Sequence, residues 1–231
     1  MLRSEHIPFN IFVPMRDDMD AAREVFEDII GKGQIDKILD VIIEYAPEKQ
    51  FALHDGTSFD AFVLYQHKDG KLGGIGVEVK YTEVGYPLKK GSKEERDVKK
   101  GENDEYINVT RECGYYLEKV AHLPLSESPL IQNDFRQIWR NHILGASMIN
   151  NENIKYPLGH FNSILLYPSK NEHFVRVIER AKPKYEDFLT EYGKESFCGI
   201  TYEDFFDILG KYYISNDFLQ WVSYLRLRYV F

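Results

Sequence analysis

The stretch from Ser58 to Glu83, SFDAFVLYQHKDGKLGGIGVEVKYTE, decides the fold. Its two halves are rich in β-branched and aromatic residues, and the Asp-Gly pair at positions 69 and 70 is a strong turn signal. The pattern therefore predicts a β-hairpin of two core strands. Three charged residues, Asp60, Glu78 and Lys80, stand within these apolar strands, where an unpaired charge is costly to bury.

Alternation of side chains along a strand places Glu78 and Lys80 on one face of the hairpin. With the turn centred on positions 69 and 70, Asp60 pairs close to Val79 and lies beside Glu78 and Lys80. One lysine offsets only one of two carboxylates, whereas Mg²⁺ binds carboxylate oxygens and keeps positions for water and a phosphate oxygen. The hairpin therefore predicts a Mg²⁺ site with Asp60, Glu78 and the carbonyl of Val79 as ligands, and Mn²⁺ is expected to substitute.

A metal at this position indicates phosphodiester hydrolysis as the chemistry. The cation would polarise a phosphate and activate water, and Lys80 would orient or deprotonate that water or stabilise the developing charge. The alternative is a solvated strand face with a cross-strand ion pair, which contributes about 0–1 kcal/mol. Apolar residues on both faces of the two strands favour the functional interpretation, because they predict strands covered on both sides.

The remaining sequence predicts helices around this hairpin. Two successive helical periods lie between Asp17 and Tyr45, and the short segment FALHDG, which begins at Phe51, is expected to be a strand. The polar segment from Glu83 to Glu105 is expected to be a long surface excursion. Further along the chain we expect helices over about 107–121, 131–149, 174–180 and 184–192, a strand over about 161–168 and a last helix from about 215. This order predicts an α/β fold with a mixed central β-sheet flanked by helices.

Composition limits the function classes. The chain has 231 residues, 43% of them hydrophobic, which predicts a packed globular protein. The sequence spacing of a zinc site is absent from the two cysteines, Cys113 and Cys198, and from the histidines His54 and His67. A histidine on an apolar helix face, such as His142, is more often a core residue than a metal ligand. No segment has the apolar length of a membrane span or a signal peptide, so a cytoplasmic protein without a membrane partner is expected.

The pattern of Asp60 followed on the next strand by Glu78-Val79-Lys80 resembles the PD-(D/E)xK nucleases of the restriction-endonuclease-like superfamily. In that family an Asp on one strand and Glu-x-Lys on the next form the motif, although Phe59 here occupies the position of the motif's proline. The resemblance implies a restriction-endonuclease-like fold and a metal-dependent endo- or exonuclease, with DNA a better substrate candidate than RNA. It implies one domain over residues 1–231, with a nuclease-like core over about 17–168 and a helical C-terminal extension over about 173–231.

The resemblance also implies an acid near the first helix and a glutamine on the helix after the Glu-x-Lys strand. Glu5, Glu27 and Glu44 are the candidate acids. The opening SEHIPFNIF resembles the N-terminus of small bacterial nuclease-like proteins of this superfamily, which favours Glu5 as the catalytic one. Gln137 is the matching glutamine, and Arg140, one turn further on, is expected to bind a substrate phosphate.

A second function class stays open, because a domain of this fold can also serve as a catalytically inactive module that binds nucleic acid or protein. The net charge of −8 gives no general attraction to nucleic acid. The lysines and arginines between Lys89 and Lys100 alternate with acids, which favours a solvated loop of mixed charge over a nucleic-acid surface. Strandedness of the substrate, sequence specificity and oligomeric state are not indicated by any pattern.

Overall fold

A computed structural model of the protein describes residues 6–85 and 87–230, so Glu5 lies outside the described residues. A five-stranded mixed sheet forms the centre, with the strands in sequence order. The β1–β2 and β2–β3 pairs are antiparallel, and the β3–β4 and β4–β5 pairs are parallel. The strands are β1 (Ile35–Tyr45), β2 (Phe59–His67), β3 (Leu72–Val79), β4 (His160–Tyr167) and β5 (Phe197–Thr201).

Helices flank the sheet, which confirms the predicted α/β class. The α-helices are α1 (Ile7–Phe12), α2 (Met19–Ile30), α3 (Lys93–Lys99), α4 (Asp104–Glu112), α5 (Glu118–Ala121), α6 (Arg136–Ala146), α7 (Glu172–Val175), α8 (Glu191–Glu195), α9 (Tyr202–Tyr212) and α10 (Asn216–Tyr229). A π-helical turn, Arg176–Arg180, continues α7. Short 3-10 turns occupy Pro14–Asp17, Lys49–Phe51, Leu125–Glu127, Pro129–Ile131 and Tyr185–Phe188. Within the described ranges no helix has both the length and the hydropathy needed to cross a membrane.

The β2–β3 hairpin forms with the predicted turn. Ala61 pairs with Val77 and Gln66 pairs with Leu72, and the connecting turn uses Gly70 at φ +88°. That left-handed backbone conformation is readily adopted only by glycine, which explains why the Asp-Gly pair is a good turn signal. The register follows from the turn, and it brings the first residues of β2 beside the last residues of β3.

Two separate cores cover the two faces of the sheet. On one face, alternate residues such as Ala61, Val63 and Val77 pack with α1, α2, α9 and α10. On the other face, Phe62 and Leu165 pack with residues of α6 and the segments around it. The expectation that the hairpin strands are covered on both sides is therefore confirmed.

The expected second helix between residues 35 and 45 is wrong, because this segment is strand β1. Its buried residues Ile35, Ile38 and Val41 recur at intervals of three, which resembles a helical period. Register shifts between Ile35 and Lys37 and between Ile38 and Asp40 interrupt the strand's alternation and produce that spacing.

Three further expectations differ from the structure. The segment FALHDG is not a strand, and its first residue, Phe51, ends a 3-10 turn. Strand β2 already pairs with β1 on one side and with β3 on the other. The excursion from Glu83 to Glu105 contains α3, whose N-cap is the side chain of Ser92. The C-terminal extension is not wholly helical, since it contributes β5 to the sheet and α9 contacts α2.

Candidate active site

The polar end of the hairpin faces a cleft of about 260 Å³. Asp60 lies at the start of β2, Glu78 near the end of β3, and α6 lies against β3 and β4 beside them. Because β2 and β3 are antiparallel, the start of one strand and the end of the other meet at the same edge of the sheet. The residues that line the cleft are Gly56, Thr57, Ser58, Asp60, Glu78, Gln137, Arg140 and Asn141.

The Asp60 carboxylate is held by the backbone of the neighbouring strand. The backbone N–H of Val79 donates a 2.7 Å hydrogen bond to Asp60 Oδ2. Burial of this carboxyl and the nearby charge of Glu78 raise its pKa to about 7, against the opposing effects of the Val79 N–H and of Lys80. Burial and the charge of Glu78 therefore disfavour the ionised form of Asp60, which a bound cation would favour.

Both carboxylate oxygens of Glu78 are oriented by side-chain donors. Lys80 donates from Nζ to Oε1, and Asn141 donates from Nδ2 to Oε2. Lys80 is only 7% exposed, and the hydroxyl of Tyr202 donates a 2.6 Å hydrogen bond to its carbonyl. Burial lowers the pKa of Lys80, whereas the charges of Glu78 and Asp60 raise it by a larger amount. The net shift of this pKa is therefore upward. Lys80 is therefore a cation in this arrangement.

Arg140 forms one wall of the cleft and is held by several acceptors. Its Nη2 lies 2.8 Å from Asp55 Oδ2 and 2.5 Å from Thr57 Oγ1, and its Nη1 lies 3.1 Å from Glu94 Oε1. Its Nε is buried without a hydrogen-bond partner among the described residues. These contacts fix the orientation of the guanidinium.

The fold therefore gathers most of the residues that the sequence singled out. Asp60, Glu78, Gln137 and Arg140 line one cleft, and Lys80 contacts Glu78 directly. Their chemical roles, and that of the Val79 carbonyl, remain predictions.

The candidate helix acids have different positions. Glu27 accepts hydrogen bonds from the backbone N–H groups of Gly33 and Ile35, which lie at the other end of β1 from the cleft. Glu44 is exposed and belongs to β1, where it lies at the level of Asp60 on the neighbouring strand. Neither residue lines the cleft, and the role assigned to Glu5 stays a prediction outside the described residues.

Sequence reasoning missed Asn141, Asp55 and Glu83. Asn141 follows Gln137 by four residues on α6, so the shared helix face was the available signal. Asp55 lies in a loop and reaches Arg140 only through the tertiary fold. Glu83 accepts a 2.6 Å hydrogen bond from the N–H of Tyr81, and its charge raises the pKa of Asp60.

The donor set of the cleft fits a hard divalent cation. Asp60 and Glu78 offer carboxylate oxygens as ligands. A bound cation would offset both the repulsion between the two carboxylates and the cost of burying the charge of Asp60. The single Lys80 ammonium offsets one of these charges, which leaves the site suited to added positive charge.

Comparison with known proteins gives one match. A family model described as the PD-(D/E)XK nuclease superfamily matches residues 1–231, which is the whole chain. No curated protein and no solved structure matches the chain. The matched range includes the hairpin, the cleft and all five strands.

Proposed function

The chain belongs to the PD-(D/E)XK nuclease superfamily, whose members are typically phosphodiester hydrolases, and we propose that this protein is a Mg²⁺-dependent nuclease that cuts DNA. The observation that supports this proposal most directly is the meeting of Asp60 and Glu78 in one cleft, with the Lys80 ammonium on Glu78. Apolar residues in place of these buried charges would often stabilise the fold at least as well, so packing alone does not explain them.

In the proposed site, Asp60, Glu78 and the carbonyl of Val79 would hold the cation. When bound, Mg²⁺ or Mn²⁺ supplies Lewis-acid polarisation of the phosphate and a lowered pKa of a bound water. The Val79 N–H fixes one oxygen of Asp60, and Lys80 and Asn141 fix the two oxygens of Glu78. This preorganisation reduces the entropy cost of assembling the ligand set.

Lys80, which is paired with Glu78, and Arg140, which lines the same cleft, supply positive charge in this proposal. The raised pKa of Lys80 supports stabilisation of charge on the reacting phosphate, because an ammonium that stays protonated is a poor base. Arg140, which lines the cleft, would hold a neighbouring phosphate through its guanidinium. Gln137 is proposed to orient the substrate or the attacking water from the same cleft wall.

A cleavage assay tests the proposal on plasmid DNA, single-stranded DNA and structured RNA, each with Mg²⁺, Mn²⁺ or EDTA. The variants are Glu78→Gln and Lys80→Ala, and the matched controls are Glu118→Gln and Lys119→Ala, which change exposed residues of α5. We expect metal-dependent cutting of DNA that both site variants lose and both controls keep.

Cutting of RNA alone would contradict the proposed substrate while supporting the reaction. No cutting of any substrate, together with no Mn²⁺ binding in calorimetry that the Glu78→Gln variant loses, would overturn the nuclease assignment. The catalytically inactive binding module would then be the better description, and retained binding of nucleic acid in EDTA would support it.

A further inference from the structure

A cluster of two histidines and one aspartate lies at the end of the hairpin that is remote from the cleft. It consists of His67, Asp69 and His160. Along β2, the path from Asp60 to His67 is about 23 Å long at roughly 3.3 Å per residue. The cluster is therefore separate from the proposed nuclease site, and no step of that proposal uses it.

The Asp69 carboxylate lies between the two imidazoles. Its Oδ1 is 2.8 Å from His67 Nδ1, and its Oδ2 is 2.8 Å from His160 Nε2. The possible ligand atoms of the three residues all lie within 4.8 Å of one another. Two imidazole nitrogens and one carboxylate oxygen are thus close enough to share one ion after rotation of the side chains.

Rigid elements present all three side chains. His67 ends β2, Asp69 lies in the hairpin turn, and His160 begins β4, where it pairs with Gly73 in the parallel β3–β4 ladder. The Lys71 N–H donates a 3.0 Å hydrogen bond to Asp69 Oδ1, which fixes the carboxylate relative to the turn. The cluster is therefore set by the sheet and not by a long loop.

The chemical character of the cluster suits a borderline transition ion. The Asp69 carboxylate, which the Lys71 N–H holds in place, supplies an anionic oxygen ligand between the two imidazoles. The side chains of His67, Asp69 and His160 are 19%, 40% and 34% exposed, which leaves solvent access for a fourth ligand. Histidine nitrogen and carboxylate oxygen are ligands that Zn²⁺ accepts in four-coordinate sites.

We propose that His67, Asp69 and His160 form a second metal site, which binds Zn²⁺ or a similar transition ion and ties the hairpin turn to β4. The two imidazoles are stacked with their centroids 3.7 Å apart. Because the lone pair of an imidazole nitrogen lies in the ring plane, the rings turn out of this stack when they bind a common ion. Their partial exposure provides the space for that rotation.

Zinc binding tests the proposal in the Asp60→Asn, Glu78→Gln double variant, which removes the carboxylates of the cleft and keeps the cluster. Calorimetry with Zn²⁺ and absorption spectroscopy with Co²⁺ are the readouts, so the result does not depend on cleavage. We expect one Zn²⁺ per chain, and we expect added His67→Gln or His160→Gln to weaken binding by at least about tenfold. Added His122→Gln, an exposed histidine outside the cluster, should leave binding unchanged.

Two results would overturn this site. The first is the absence of Zn²⁺ binding in the double variant while circular dichroism shows a folded protein. The second is unchanged Zn²⁺ affinity after both histidines of the cluster are replaced. Neither result bears on the nuclease proposal, since the cleft is removed in every protein used and its own test is cleavage by the unmodified chain.

Discussion

Glu94 on α3 forms an ion pair with Arg140 on α6, with 3.1 Å between Glu94 Oε1 and Arg140 Nη1. The same oxygen lies 3.0 Å from Nε of Arg136, so one carboxylate links α3 to two arginines of the helix that lines the cleft. Glu94 therefore occupies one of the donors of Arg140. If Arg140 binds a substrate phosphate as proposed, Glu94 competes with that phosphate.

Replacement of Glu94 with glutamine is expected to strengthen DNA binding. The change removes one negative charge from Arg140, and an effect of about 1 kcal/mol corresponds to roughly fivefold tighter binding. Fluorescence anisotropy in the Lys80→Ala background measures affinity without cleavage. Glu102→Gln is the control, because this acid of the same segment pairs with Arg96 instead. An equal gain in the control would show general electrostatics and contradict the specific competition.

Replacement of Asp60 with asparagine is expected to stabilise the metal-free protein. Burial and the charge of Glu78 disfavour the ionised Asp60, and asparagine can still accept the Val79 N–H. We expect the free energy of unfolding in EDTA at pH 8 to rise by about 1–3 kcal/mol, as measured by urea denaturation.

Asp55→Asn is the matched control and should act in the opposite direction. Asp55 is paired with Arg140 and accepts hydrogen bonds from Tyr106 and Thr57. Despite burial, which raises its pKa, the charge of Arg140 makes the net shift downward. Loss of this pair should lower the free energy of unfolding by about 1–3 kcal/mol, since it leaves a buried charge poorly compensated. The same sign for both variants would contradict the account of the cleft electrostatics.

His142 is expected to make the protein less stable as the pH falls below neutral. The ring is fully buried, and burial lowers its pKa from 6.5 to about 3. Between these values the unfolded chain binds a proton that the folded protein does not, so this residue's effect on the free energy of unfolding falls by about 1.4 kcal/mol per pH unit.

Denaturation of wild type and His142→Gln at pH 7.5 and pH 5 measures this effect. The variant lacks the titrating group, so its stability deficit relative to wild type should shrink by about 2 kcal/mol at the lower pH. His122→Gln, which changes an exposed histidine, is the control for the substitution itself. A deficit of His142→Gln that stays constant would exclude a buried neutral histidine.

Gly145 on α6 is expected to tolerate no larger residue, because α6 packs closely on β4 at this point. A Cβ at Gly145 would lie 2.0 Å from the ring of Phe161. Gly145→Ala should therefore lower the free energy of unfolding by about 1–3 kcal/mol and displace Arg140 and Asn141 on the same helix. Thermal denaturation and the cleavage assay measure the two effects.

Gly210→Ala is the control for the helical substitution itself. A Cβ at Gly210 on α9 would meet nothing within 4 Å, so alanine should stabilise the protein by about 0.5–1 kcal/mol. A Gly145→Ala protein as stable and active as wild type would contradict the close packing of α6 on the sheet.

Local sequence patterns were sufficient for the hairpin and for the position of its charged residues. The turn at positions 69 and 70 sets the register of β2 and β3, and the register alone brings Asp60 beside Glu78 and Lys80. Strand β4 was also predicted, since a short apolar run ended by Pro168 is typical of a buried strand. These features depend on neighbours along the chain or across one turn, and the periodicity of side chains reports such relations directly.

Other features depend on contacts between distant segments. The bulges that give β1 a helix-like spacing arise from its pairing with β2, so periodicity alone indicated a helix. Asn141 on Glu78, Glu94 on Arg140, and His160 beside Asp69 each join residues from separate elements. Their approach follows from the packing of α6 and α3 and from the parallel β3–β4 pair, which no local pattern specifies. The acids and lysine of the hairpin are thus encoded locally, whereas the side chains that orient them are brought together only by long-range packing.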